Sequence, residues 1–235
     1  MNKNKYLYKK VLLSFLGTLT LIFTLTSCEC DRDKKKELLR QQGEKEKLEK
    51  EQLVQADNVG TVIQGTLDPA TGNFIYETGN IFTIKLPNGQ EIVEVGNNST
   101  EAKLYNFLID STINVSEDKT KGWITLDRVY FDTGKSIITS ESGKQMKNLS
   151  QILKAFPKTK VKIGGYTDAT GSEETNKKIS EGRAKIVQEE LIKSGIHTER
   201  ISFEGYGSQH PVCEANDTPE CKAQNRRVDI RVLEK

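Results

Sequence analysis

From Trp123 onward the hydrophobic residues switch repeatedly between a two-residue and a 3.6-residue period, and this alternation restricts the fold more than any other feature. "WITLDRVYFD" places Ile124, Leu126, Val129 and Phe131 in a strand-like pattern. "SESGKQMKNLSQILKAF" spaces Met146, Leu149, Ile152, Leu153 and Phe156 as a helix, with Ser140 or Ser142 as its cap and Pro157 as its stop. "KVKIGGY" is a strand running into Gly164 and Gly165, and "KKISEGRAKIVQEELIKSG" is an amphipathic helix ended by Gly195. "RISFEGYG" and "RRVDIRVL" are two further alternating strands. The order β-α-β-α-β-β predicts an α/β (α+β) sandwich in which a mixed sheet carries two helices on one face.

Residues 57–120 differ in kind. From Val59 to Asn114 the chain is rich in β-branched and aromatic residues, punctuated by glycines, and "PNG" at 87–89 between "IFTIKL" and "EIVEV" signals a hairpin. "STEAKLYNFLID" (99–110) predicts one or two helical turns capped by Ser99 or Thr100. The segment reads as a small β-rich module.

Residues 1–10 carry four lysines and no acid, and residues 11–27 carry no charge, which together are the parts of a signal peptide. The alternative, an uncleaved membrane anchor, meets the objection that 17 residues with four threonines fall short of the ~20 needed to span a bilayer. Leu25-Thr26-Ser27-Cys28 resembles the lipobox of bacterial lipoproteins, in which the cysteine is acylated and becomes the mature N-terminus. Each buried CH₂ of a lipid contributes ~0.8 kcal/mol, so two or more chains hold a domain firmly on a bilayer.

Removing residues 1–27 takes four lysines from a formal charge of +2 and leaves −2, which argues against a nucleic-acid partner. Residues 28–56 then read as a charged tether, partly helical, that lifts the following domains some ~40 Å from the lipid.

An exported chain meets an oxidising compartment, so Cys213 and Cys221, flanking "CEANDTPEC", are expected to form a disulfide. A zinc site using His210 with these cysteines is the rival, but the spacing matches no usual ligand pattern. Cys30 is left as a free thiol or an intermolecular bridge.

The run Tyr166-Thr167-Asp168-Ala169-Thr170-Gly171, then Asn176, Ile179-Ser180, Arg183-Ala184, "FEGYGSQHPV" and Asn225-Arg226-Arg227-Val228 resembles the C-terminal domain of the outer membrane protein A (OmpA) family. The likeness covers about residues 125–235, leaves 56–120 aside, and sits in the segment 121–235 read as the last domain. It implies noncovalent binding of peptidoglycan through the diaminopimelate of the stem peptide. By motif position Asp168 takes the ammonium group and Arg183 the carboxylate. Asn176, Thr167, the Phe131–Gly134 turn with Thr133, and Asn225, Arg226 and Arg227 line the same groove. Gly134 departs from the family, where an amide side chain often stands.

The chemistry is coherent without the family. An amino-acid end group is a zwitterion, and recognising it requires an acceptor for NH₃⁺ and a planar fork for COO⁻, which aspartate and arginine supply. Taken singly, an Asp before a helix is usually a cap or turn residue, and an Arg on a helix a solvated charge. Strand parity places Arg226 on the side of Val228, Ile230 and Val232, where a charge needs a partner, unless the strand begins at Arg227. If Asn176 caps the helix, Arg183 lies ~10 Å along it and the loop from 168 to 175 must double back.

The expected protein is an outer-membrane lipoprotein with a periplasmic, peptidoglycan-binding domain, without cofactor, metal or catalysis. A surface or secretion-system component whose residues 57–120 bind a protein is a second reading. An enzyme acting on the wall is a third, opposed by the absence of a Ser/His/Asp or Cys/His grouping in the spacing of His197 and His210.

Overall fold

Two antiparallel hairpins open the part of the chain described by the computed structural model, which covers residues 64–131, 138–139 and 142–235. The leader, Cys28, Cys30, the tether, Thr133, Gly134 and Ser140 lie outside the described residues. The first hairpin pairs β1 (Gly65–Leu67) with β2 (Phe74–Tyr76). Its turn is tied by the Asp68 carboxylate, which accepts from the Ala70 N–H at 2.9 Å and the Thr71 hydroxyl at 2.6 Å. The second pairs β3 (Ile81–Lys85) with β4 (Glu91–Gly96) around the expected Pro87-Asn88-Gly89 turn, where Gly89 takes a φ of +82°. Helix α1 (Thr100–Ile109) follows, with the Ser99 hydroxyl accepting from the Ala102 N–H.

A four-stranded mixed sheet in the order β5-β8-β6-β7 forms the centre: β5 (Trp123–Thr125), β6 (Lys160–Gly165), β7 (Ile201–Gly205) and β8 (Val228–Glu234). β6 and β7 are parallel, and β8 runs antiparallel to both β6 and β5. Alternation gives the sheet two faces. Val161, Ile163, Val228, Ile230 and Val232 are buried in one core with residues of α2 (Gly143–Ala155) and α3 (Glu173–Lys193). On the other face Gly164 leaves room for the Trp123 ring, and Arg231 donates to the carbonyls of Ser116, Asp118 and Lys121. The loop through residues 116–121 therefore covers this face.

Residues 63–235 form one compact unit, and the same hydrophobic cluster includes Ile84, Val95 and Leu104 from the β-rich segment. A buried polar knot adds to it. The Glu101 carboxylate accepts from Arg128, from the Asn148 amide at 2.9 Å and from the Gln145 amide at 3.3 Å, joining α1 to α2.

Three local expectations change. Ser142 stands at the N-cap of α2, but its hydroxyl accepts from the Tyr130 N–H at 2.9 Å and makes no cap bond. Helix α3 begins at Glu173, not beyond Asn176, because the Ser172 hydroxyl accepts from the Thr175 N–H and two glutamates favour the positive helix end. A seven-residue helix α4 (Pro219–Asn225) lies between the last two strands, started by the Thr218 side chain and Pro219.

Candidate functional site

The C-terminal end of β6 carries the acid. Tyr166 and Thr167 continue the strand direction, clasped by backbone bonds to the Arg227 carbonyl at 2.9 Å and the Gly207 carbonyl at 2.8 Å. Helix α3 crosses close above: a Cβ on Gly165 would stand 2.0 Å from the Ser180 carbonyl oxygen. Glycine at this position lets the helix rest on the strand, and Asn176, Ile179 and Arg183 then share the helical stripe facing the groove.

Asp168 sits in an Asx-turn. Its Oδ1 accepts from the Thr170 N–H at 2.8 Å, and its Oδ2 accepts from Arg226 Nη1 at 2.9 Å. Burial favours the neutral acid, but these bonds outweigh it and hold the carboxyl below its ordinary value, so it is ionised at neutral pH. Arg183 is buried, with its guanidinium carbon 5.2 Å from the centre of the Phe131 ring. Burial and the neighbouring Arg226 charge push it down to about 10, with Asp168 opposing, and it stays a cation at neutral pH.

The groove occupies about 400 Å³ and is lined by Asp168, Arg183, Asn176, Thr167, Arg226 and Arg227 among others. Six of the eight residues anticipated from the sequence thus come together. Asn225 does not line it; its carboxamide accepts from the Val212 and Cys213 N–H groups and donates to the Cys213 carbonyl, so it shapes the adjoining loop. Thr133 lies outside the described residues.

Arg226 belongs to neither strand alternative. It is the C-cap of α4, and β8 starts at Val228. Its partner is Asp168, and its Nη2 donates to the Gly72 carbonyl at 2.9 Å. Arg227 is held beneath the groove by Asp229 at 3.0 Å, by the His210 carbonyl at 3.0 Å and by the Tyr166 ring 3.8 Å away.

The wall formed by Gly72, Asn73, Phe74 and Tyr76 was not anticipated. It comes from the β1–β2 hairpin, whose Tyr76 hydroxyl is pushed well above its ordinary range by burial. Gly72 is one of the glycines that punctuate this segment, but nothing in the local sequence tells where its turn docks.

Cys213 and Cys221 form a disulfide, with Cα atoms 5.3 Å apart, which leaves neither sulfur to coordinate zinc. The loop it closes contains Asn216, whose Oδ1 accepts from the Ala169 N–H at 3.2 Å, next to Asp168.

A small α/β domain with an acid and two arginines converging at the end of its parallel strand pair is what these observations define. Residues 130–226 match the OmpA family, and the chain carries an OmpA-like domain. The chain is 34% identical over 131 residues to the probable lipoprotein YiaD of Escherichia coli, a match covering 55% of this chain and 59% of that protein. It is 42% identical over 103 residues to the peptidoglycan-binding protein ArfA of Mycobacterium tuberculosis, covering 44% of this chain and 31% of that one. The chain thus spans less than two thirds of either relative. Among solved structures, the peptidoglycan-associated lipoprotein from Burkholderia pseudomallei is 27% identical, covering 48% of this chain and 92% of that one, with a TM-score of 0.43.

Proposed function

We propose that this protein is a lipid-anchored peptidoglycan-binding protein that tethers the outer membrane to the cell wall through diaminopimelate. The observation that carries the reading is the convergence of ionised Asp168 with Arg183 and Arg226 in one walled groove. An ammonium group would bind Asp168, whose oxygens offer about four acceptor positions and so accommodate a further donor beside Arg226 and Thr170. A carboxylate would bind the Arg183 fork. The two arginines exceed the one acid by a positive charge, which suits a peptide bearing carboxylates beyond the zwitterion. The name of ArfA supports the ligand class.

Lipidation at Cys28 and a periplasmic location follow from the leader and lipobox resemblance. The test is co-sedimentation of the full chain, kept soluble in detergent, with isolated cell-wall sacculi. Charge-assisted hydrogen bonds contribute ~1.5–3 kcal/mol each, so Asp168→Ala and Arg183→Ala should each weaken binding roughly 10- to 100-fold. Undiminished co-sedimentation of both variants rejects the site.

A further inference from the structure

The charged residues account for only part of the groove. An amino-acid head group fills a small fraction of about 400 Å³, a volume within the range that holds a drug-sized ligand. The remainder is bounded by the β1–β2 turn, contributed by residues that precede the matched segment 130–226. The turn is fixed to the charged end: one guanidinium, that of Arg226, bonds Asp168 with one nitrogen and the Gly72 carbonyl with another.

Two residues that line this space, Thr167 and Asn73, carry a neutral polar group without a protein partner among the described residues. The Thr167 hydroxyl is buried, on a residue only 7% exposed, and no hydrogen bond reaches it. Asn73 is half-buried; its backbone is engaged with Asp68 and Thr71, while its carboxamide makes no hydrogen bond among the described residues. A buried hydroxyl left unbonded is unfavourable, and a carboxamide offers one acceptor and two donors. A peptide group, which presents one donor and one acceptor, is the neutral partner that this pair fits.

We propose that Asn73 and Thr167 form a second, uncharged subsite that binds a backbone amide of the peptide next to the zwitterion. The hairpin thereby makes the groove a reader of peptides and not of free amino acids. This inference rests on the zwitterion reading of Asp168 and Arg183, and its test separates the two.

The full chain, in detergent, is titrated calorimetrically with free diaminopimelate and with a synthetic stem tripeptide ending in diaminopimelate. The wild type should bind the tripeptide more tightly. Asn73→Ala, a change in a surface turn, should weaken the tripeptide about tenfold and leave free diaminopimelate unchanged; Thr167→Val should also weaken the tripeptide. Asp168→Ala should weaken binding of both ligands roughly 10- to 100-fold. Equal losses for the two ligands in Asn73→Ala, or no loss for either, overturn the subsite while leaving the charged site standing. Failure of the wild type to bind either ligand overturns the charged site and the subsite together. Unfolding midpoints of Asn73→Ala and Thr167→Val, expected to stay close to the wild type, confirm that the fold is intact.

Discussion

The carboxylate of Asp168 and the guanidinium of Arg226 meet at 2.9 Å across 58 residues of chain. This pair sets the acid limb of the site. A carboxyl held below its ordinary value contributes stability that is present above that value and is lost as pH falls through the folded one. Ligand binding should therefore persist unchanged to about pH 4 and fail below it. Arg226→Gln removes the cationic donor, lets burial dominate, and should move the Asp168 titration upward, so that binding fails at a higher pH. Side-chain carboxyl NMR and binding measured between pH 3 and 7 check both shifts; an unmoved titration rejects the role given to Arg226.

The Cys213–Cys221 disulfide should matter twice. It closes a short loop, and chain entropy alone assigns it ~2–3 kcal/mol. The loop also presents Asn216 to the backbone beside Asp168 and precedes α4, which carries Arg226. Replacing both cysteines by serine should lower the urea midpoint and weaken wall binding several-fold. Reduction and alkylation of the wild type should reproduce both effects.

Gly165→Ala should be among the most damaging single-methyl changes in the chain. The added carbon meets the Ser180 carbonyl at 2.0 Å, so α3 must move off the sheet. Overpacking of this kind costs ~1–3 kcal/mol, and it displaces Asn176 and Arg183 with the helix. Thermal unfolding and co-sedimentation should both register the change.

Glu101→Ala should destabilise the unit, although Glu101 itself does not line the groove. It leaves Arg128 and the Asn148 and Gln145 amides without their acceptor. The loss should be roughly 2–3 kcal/mol, less than for a fully buried pair because Arg128 is partly exposed. Its effect on ligand binding under conditions where the protein stays folded should be small.

Helices α2 and α3 and strands β6, β7 and β8 were legible because each is long enough to express its period. Helix α4 was not: seven residues, with Ala223 and Cys221 as its buried small residues, show no stripe, although Thr218-Pro219 marked its start. That omission misplaced Arg226, which strand parity carried two residues too far back. The start of α3 was readable in Ser172-Glu173-Glu174, a stronger opening than Asn176 and the reason the connecting loop is short. Asp168 and Arg183 were legible as a motif because their spacing and order resemble the family's, and the two charges of the proposed ligand account for their residue types. The hairpin wall was beyond reach, since docking between distant segments leaves no trace in local spacing.

Inherited resemblance and physical integrity divide this chain at different places. The matched residues 130–226 contain β6 and β7 but stop short of β8 and begin after β5. A fragment cut to those limits would lose the strand that joins the halves of the sheet, and its remaining pair would lie with an edge stripped bare. A fragment meant to keep its sheet and its groove starts before the β1–β2 hairpin and retains Glu234, so that the excised piece contains its own spine and the far wall of its groove.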